Sequence, residues 1–374
     1  MGLPRIARAY EQRVARGQTS MDDFGKNQIW ASLCAVDRLC GMLFNLPMST
    51  RAYRIPFVPA MRNDGSLSPT SYLLRLSDVA VGIQDLDDLR VSSESANDLY
   101  AQALKLDSDL RTLGATMPAK WLSKVPPSPG AGNILLMVHL CFTMQVHLPF
   151  VLKDDPSRQF TYSKMAGIRA CQDLSRQWQQ LRRVLPFGFF LCRIMDVQAF
   201  TATVILLFVS HSERYGNTAG LGNPQELDTV LAENVGLLEA KSREPFCPVF
   251  TRQAVSTLHS LAALLQGHSD STGEAELTLQ VPLIGRIRVK PKAGGTSFQT
   301  SPQNDLAPTS WLPSQQPMVP TSAQFDNDVG MKASHIGVNE GFSWMIEDDY
   351  GPLFQDFSMT DDADALQQWQ AGFA

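Results

Sequence analysis

The chain has 374 residues, 44% hydrophobic and 18% charged, with a net charge of −5. That composition suits a soluble globular body with a real core and gives no basis for a nucleic-acid surface. The charge is unevenly held: from Ala293 onward there are 11 acidic residues against one basic, Lys332, so the preceding residues are net basic and the tail is strongly acidic.

Helical periodicity starts at Phe24 and runs to Leu46, with Phe24, Ile29, Leu33, Val36, Leu39 and Leu43 as the expected apolar face. Ser20 and Asp23 resemble a capping box, and Pro47 is the expected stop. After an irregular stretch from Met48 to Ser68, a second helix is predicted from Pro69 to Val91. A third starts near Ser93, carries Leu99, Ala103, Leu106, Leu110 and Leu113 on one face, and ends at Gly114. Beyond a Pro/Gly loop at Pro126–Gly132, helices are predicted over Ile134–Leu152, Ser157–Val184, Ile194–His211, Pro224–Lys241 and Pro248–Gln266. Ile134–Leu152 is long enough for a bilayer, but His139, Gln145, His147 and Pro149 make it a buried core helix, and the apolar run Val197–Val209 is too short to span. No membrane contact is expected. Helices without strand alternation define an all-α, multi-helical body.

Glu276–Lys290 breaks the pattern. Leu277, Leu279 and Val281, then Ile287 and Val289, alternate with polar residues around Pro-Leu-Ile-Gly, which predicts a small β-hairpin. Ala293–Gln324 is rich in Gly, Ser, Thr, Pro and Gln and is expected to be a disordered linker. Cys34, Cys40, Cys141, Cys171, Cys192 and Cys247 include no C-x-x-C pair and read as reduced, mostly buried thiols.

The segment Ile29–Pro47, I-W-A-S-L-C-A-V-D-R-L-C-G-M-L-F-N-L-P, resembles a signature of the regulatory domain of fungal zinc-cluster transcription factors, through Trp30, Asp37, Arg38 and Pro47. The apolar helix ending H-L-P-F adds His147, Pro149 and Phe150, and the Val-Pro-Leu-Ile-Gly-Arg-Ile-Arg hairpin resembles an element found after that domain. From the residues alone, Asp37 and Arg38 lie about 100° apart on a helix and are expected to pair with other elements rather than each other. His147 reads as a satisfied core histidine. The resemblance implies a nuclear regulator of RNA polymerase II transcription, serving a metabolic or secondary-metabolite pathway. It also implies a binuclear zinc cluster of six close-set cysteines for DNA binding. These residues contain no such cluster, so no cofactor is expected here, and DNA would be a partner only through a cluster lying upstream. A small-molecule effector of the helical body is a further implied partner. The expected organisation is an N-terminal segment at 1–21, the helical regulatory domain at 22–268, the hairpin at 274–292, a linker at 293–329 and an acidic-aromatic tail at 330–374.

That tail has the composition of an activation domain. Phe342, Trp344, Ile346, Leu353, Phe354 and Phe357 are set among acidic residues, which keep aromatics solvated and available to a coactivator groove. Two other readings stand beside this one. The first is a coregulator that acts through partners without binding DNA. The second is an all-α enzyme such as a terpene cyclase. For the latter, Asp154-Asp155-Pro156-Ser157-Arg158 ends in arginine where a carboxylate is needed, and Asn97-Asp98 lacks its hydroxyl and glutamate partners. There is no G-x-S-x-G, H-E-x-x-H or phosphate loop, and no enzymatic activity is expected.

Overall fold

A computed structural model describes residues 21–300 except 45, 54, 56–59, 93–94, 123–129, 154, 156, 186–189, 215–223, 245–248, 266–276, 282–284 and 291–296, and also residues 9, 12, 13 and 16. The expected tail residues Phe342, Trp344, Ile346, Leu353, Phe354 and Phe357 lie outside the described residues, as does Cys247. Eight α-helices are found among the described residues: α1 Met21–Phe44, α2 Pro69–Ser92, α3 Ala96–Gly114, α4 Ala131–Val151, α5 Thr161–Val184, α6 Phe190–Arg214, α7 Pro224–Ser242 and α8 Val249–Leu265. A 3-10 turn, Ala119–Leu122, precedes α4. The fold class is all-α, as the periodicity predicts.

Consecutive helices pack on one another along the whole body, and α4 against α5 is the most extensive helix pair. α4 is apolar all round because it is covered on several sides, by α2, α3, α5 and α6. Tyr72, Phe142, Phe150, Trp178, Phe200 and Phe208 are the largest side chains of a core that runs from the end of α1 to α8. Ala131–Val151 and Cys192–His211 are both long and apolar enough to cross a membrane, with 67% and 83% of their most apolar windows buried in the body. The second is longer than the Val197–Val209 run suggested. Inside this body both act as core helices.

Element boundaries follow local chemistry. The side chain of Ser95 accepts from the Asp98 N–H and caps α3, which starts at Ala96, three residues beyond the predicted Ser93. α5 starts at Thr161 rather than Ser157, because Asp155 organises the preceding loop, accepting from the backbone N–H of Gln159 at 2.9 Å and of Phe160 at 2.7 Å. Gly132, expected in a loop, lies inside α4, where a Cβ would come within 2.2 Å of Trp121 Nε1. Only glycine lets the 3-10 turn seat Trp121 there. Gly132→Ala is expected to cost about 1–3 kcal/mol through overpacking, read as a shift of the urea midpoint at unchanged slope.

Two antiparallel strands of the expected hairpin lie among the described residues, and residues 282–284 between them lie outside those described. β1 (Leu277–Val281) runs antiparallel to β2 (Gly285–Lys290), with Leu279 opposite Ile287. A third strand, β3 (Ser297–Thr300), pairs antiparallel with β2 inside the stretch expected to be linker. Its Ser-Phe-Gln-Thr run supplies backbone donors and acceptors to the free edge of β2, which a composition-based reading overlooks.

The expected apolar face of α1 is corrected. Leu39 is buried and Leu43 half-buried, but Ile29, Leu33 and Val36 are 56%, 48% and 54% exposed. The face that meets the body carries Trp30, Ala31, Cys34, Ala35, Arg38 and Met42 instead. The two faces lie about one residue apart around the helix. The buried one has small residues for close approach to α2, an aromatic, and an arginine whose partners all lie on the body side.

Candidate functional site

The residues singled out in the sequence gather at two separate places. Trp30, Asp37 and Arg38 share the joint where α1, the loop after it and α2 meet. Asp37 Oδ2 accepts from the Thr50 backbone N–H at 2.8 Å and from Thr50 Oγ1 at 2.7 Å. Arg38 is 2% exposed; it donates to Asp78 Oδ1 on α2 at 2.8 Å, to the Thr50 carbonyl at 3.2 Å and to the Tyr53 carbonyl. Trp30 meets the Tyr53 ring edge-on at 5.4 Å. The Asp-Arg pair therefore works outward, one residue holding the loop and the other bridging to α2. Pro47 is exposed in that loop, three residues beyond the last residue of α1.

The second place is the junction of α3, α4 and α5. His147 is fully buried, with Nδ1 3.0 Å from Ser163 Oγ and Nε2 3.2 Å from Asp107 Oδ1. Tyr162 donates to Asp107 Oδ2 at 2.6 Å, and Arg111 Nε lies 3.1 Å from the same oxygen. Burial alone would push the Asp107 carboxyl up. The hydrogen bonds from His147 and Tyr162 and the charge of Arg111 outweigh it and hold the group below the ordinary carboxylate range. Pro149 does not end its helix: α4 continues to Val151, although Pro149 has no N–H to give the Gln145 carbonyl. Phe150 stacks with Tyr100 and Phe160, with ring centroids 5.3 and 5.1 Å away.

Ser163, His147 and Asp107 are connected in the order of a hydrolase triad, yet the arrangement cannot perform that chemistry. Ser163 and His147 are fully buried, and the ring is reversed, with Nδ1 toward serine and Nε2 toward the carboxylate. Its effect is to lock three helices through one satisfied polar network.

Two further buried networks complete the frame. Asp196 on α6 accepts from Trp178 Nε1 at 3.0 Å, from Arg182 Nε at 2.9 Å and from Thr251 Oγ1 at 3.4 Å, tying α5, α6 and α8. Burial raises the Asp196 carboxyl and the Arg182 charge pulls it back. Asn234 on α7 donates to Ser175 and Thr203, both at 2.9 Å, and accepts from Gln179 at 2.8 Å. Asp107 and Asp196 were missed in the sequence, although each left a signal: Asp107 sits on the same stripe as Ala103, Leu110 and Leu113, and Asp196 is the sole acidic residue between Ile194 and Ser210.

His139 on α4 hydrogen-bonds the Tyr72 hydroxyl at 2.8 Å through Nδ1, and burial lowers its pKa from 6.5 to about 4. The folded protein therefore keeps this ring neutral at a pH where the unfolded chain protonates it. The associated stability is complete above pH 6.5 and is lost as pH falls toward 4, by about 2–3 kcal/mol at pH 4.5. Urea unfolding at pH 7 and 4.5 is expected to show that loss in the parent chain and a smaller one in His139→Gln.

Among the described residues no group of three or more His, Cys, Asp or Glu side chains could hold a metal ion. Cys34, Cys141, Cys171 and Cys192 are buried free thiols and Cys40 an exposed one, so these residues do not fit a binuclear zinc cluster. Asp155, the one aspartate of the Asp154–Arg158 segment among the described residues, serves its own loop, accepting also from Ser157 Oγ at 3.1 Å. A cleft of about 300 Å³ opens between α6, α7 and α8, with Leu207, Leu231 and Leu265 on its apolar side and Ser210 and Asp228 joined by a 3.1 Å hydrogen bond on the other.

Fold and site together define an all-α body whose buried polar groups act as joints between helices. No protein-family model and no solved structure matches the chain. A relative that does match is the transcription factor sdnS of Sordaria araneosa, 25% identical over 194 residues that cover 48% of this chain and 24% of that protein. The chain thus spans about a quarter of the length of the relative it matches.

Proposed function

We propose that this protein regulates transcription by RNA polymerase II in the nucleus, as the regulatory and activation portion of a zinc-cluster-type factor. The observation that carries the reading is the likeness to a fungal transcription factor over 194 residues. The Trp30–Pro47 and His147–Phe150 segments, which resemble that class of regulator, support it. In this reading the helical body is a rigid carrier and residues 330–374 recruit coactivators through Phe342, Trp344, Ile346, Leu353, Phe354 and Phe357. Sequence-specific DNA contact belongs to a zinc cluster outside these residues. A small-molecule effector of the body would have its place in the cleft between α6, α7 and α8.

The test is a fusion of residues 330–374 to an unrelated DNA-binding domain, read with a reporter gene. Expression of the reporter, lost when Trp344, Phe354 and Phe357 are changed to Ala, is the expected result. A silent reporter with the fusion shown to be present in the nucleus contradicts the activation role.

A further inference from the structure

The first turn of α4 gathers buried hydrogen-bond donors. Ala131 and Gly132 are its first two residues, and both are buried. A helix has no internal acceptor for its leading N–H groups, and Gly130 at the N-cap has no side chain to supply one. Neither N–H meets an acceptor among the described residues. The Asn133 N–H differs, since it donates to the Gly130 carbonyl at 3.0 Å.

Two side chains add donors at the same end. Asn133 is 6% exposed, and its Nδ2 has no hydrogen-bond partner. The other half of the amide sets its orientation: Oδ1 accepts from the Gly130 N–H at 3.4 Å, so the group folds back over the first turn. The reverse orientation would set an amide NH2 against an N–H. Nδ2 is therefore a buried donor held at the start of the helix, where an unmet donor is costly. Trp121, buried on the 3-10 turn, lies against Gly132, with Nε1 2.2 Å from the place a Cβ would take. An indole N–H donates and never accepts, and Trp121 has no hydrogen-bond acceptor among the described residues. The start of a 21-residue helix also carries partial positive charge.

We infer that the first turn of α4 binds a compact anion whose head group carries acceptors only, a sulfate or a carboxylate group. The backbone N–H groups of Ala131 and Gly132, Asn133 Nδ2 and Trp121 Nε1 are its donors, and the helix end supplies the favourable field. The set holds donors alone, so a head group that bears a proton is disfavoured: its O–H would be buried unpaired. Phosphate carries such a proton at neutral pH and sulfate does not. Sulfate is therefore held at least about tenfold more tightly than phosphate. This site is separate from the cleft between α6, α7 and α8.

Urea unfolding of the full chain tests this, in rising sodium sulfate, acetate or phosphate at constant ionic strength. The key variant is Asn133→Asp. It keeps Oδ1 for the Gly130 N–H and replaces only the donor, with an anionic oxygen that suits a helix start and repels a bound anion. In the parent chain the midpoint is expected to rise and saturate with sulfate, acetate or both, and to need at least about tenfold more phosphate for the same rise. Asn133→Asp is expected to fold and to lack the saturating rise. Sulfate and phosphate also stabilise proteins in general by exclusion from their surface, an effect shared by both salts and both chains. Equal responses in parent and Asn133→Asp, or no saturating rise in the parent with sulfate or acetate, overturn the proposal. Ser128→Ala, at a position outside the described residues, is the second variant. A saturating rise that appears only there would mean that the chain supplies its own acceptor, and also overturns it.

Discussion

Replacing Arg182 with Met is expected to destabilise the protein by about 3–5 kcal/mol, because it leaves the Asp196 carboxylate buried with no counter-charge. The two side chains are only 6% and 1% exposed, so water cannot take the place of the lost partner. Trp178 and Thr251 still donate to Asp196, but two neutral donors do not replace a guanidinium that reaches both oxygens, at 2.9 and 3.3 Å. The second change that separates charge loss from shape loss is Asp196→Asn. It keeps an acceptor for Trp178 and removes the charge, so the double variant is expected to recover at least half of the loss. Urea unfolding of the parent, both single variants and the double variant gives the coupling directly.

Asp107→Ala is expected to cost about 3 kcal/mol. It leaves His147 without its Nε2 partner inside the α3–α4–α5 junction and frees the Tyr162 hydroxyl. The comparison that identifies the cause is Tyr162→Phe. Tyr162 is 42% exposed and its removal leaves the His147–Asp107–Ser163 chain intact, so a loss of about 1 kcal/mol is expected there. Equal losses in the two variants would mean that the outer hydroxyl, rather than the buried histidine, holds the junction.

Both cases show where the sequence was informative and where it stopped. Helix existence and order were legible because apolar residues at three and four spacing are a direct record of which face is buried, and α3 followed its predicted stripe closely. α1 was misread because it carries two candidate stripes. Choosing between them requires knowing that Arg38 reaches Asp78 and that Trp30 meets Tyr53, contacts 40 and 23 positions apart in the chain. The buried carboxylates at Asp107 and Asp196 were visible as charges on apolar faces, but their partners lie on other helices, and no local pattern names them. His147 was expected to be a satisfied core histidine; its partners, Asp107 and Ser163, come from α3 and α5. β3 went unseen because a four-residue strand in polar composition has no signal of its own and exists through the edge of β2.

The same limit applies to function. The motif residues Trp30, Asp37, Arg38 and His147 do their work inside the body, as joints, and contain no chemistry that would name a target or a ligand. The regulatory reading rests on likeness to a transcription factor and on the acidic-aromatic tail.

Its most direct test is acute depletion of the full protein in its own cells, with nascent RNA measured within minutes. The expected result is a prompt fall in synthesis from a limited set of genes, restored by the intact chain but not by one in which Trp344, Phe354 and Phe357 are Ala. Unchanged nascent RNA across the genome, with depletion confirmed, would contradict a role in transcription.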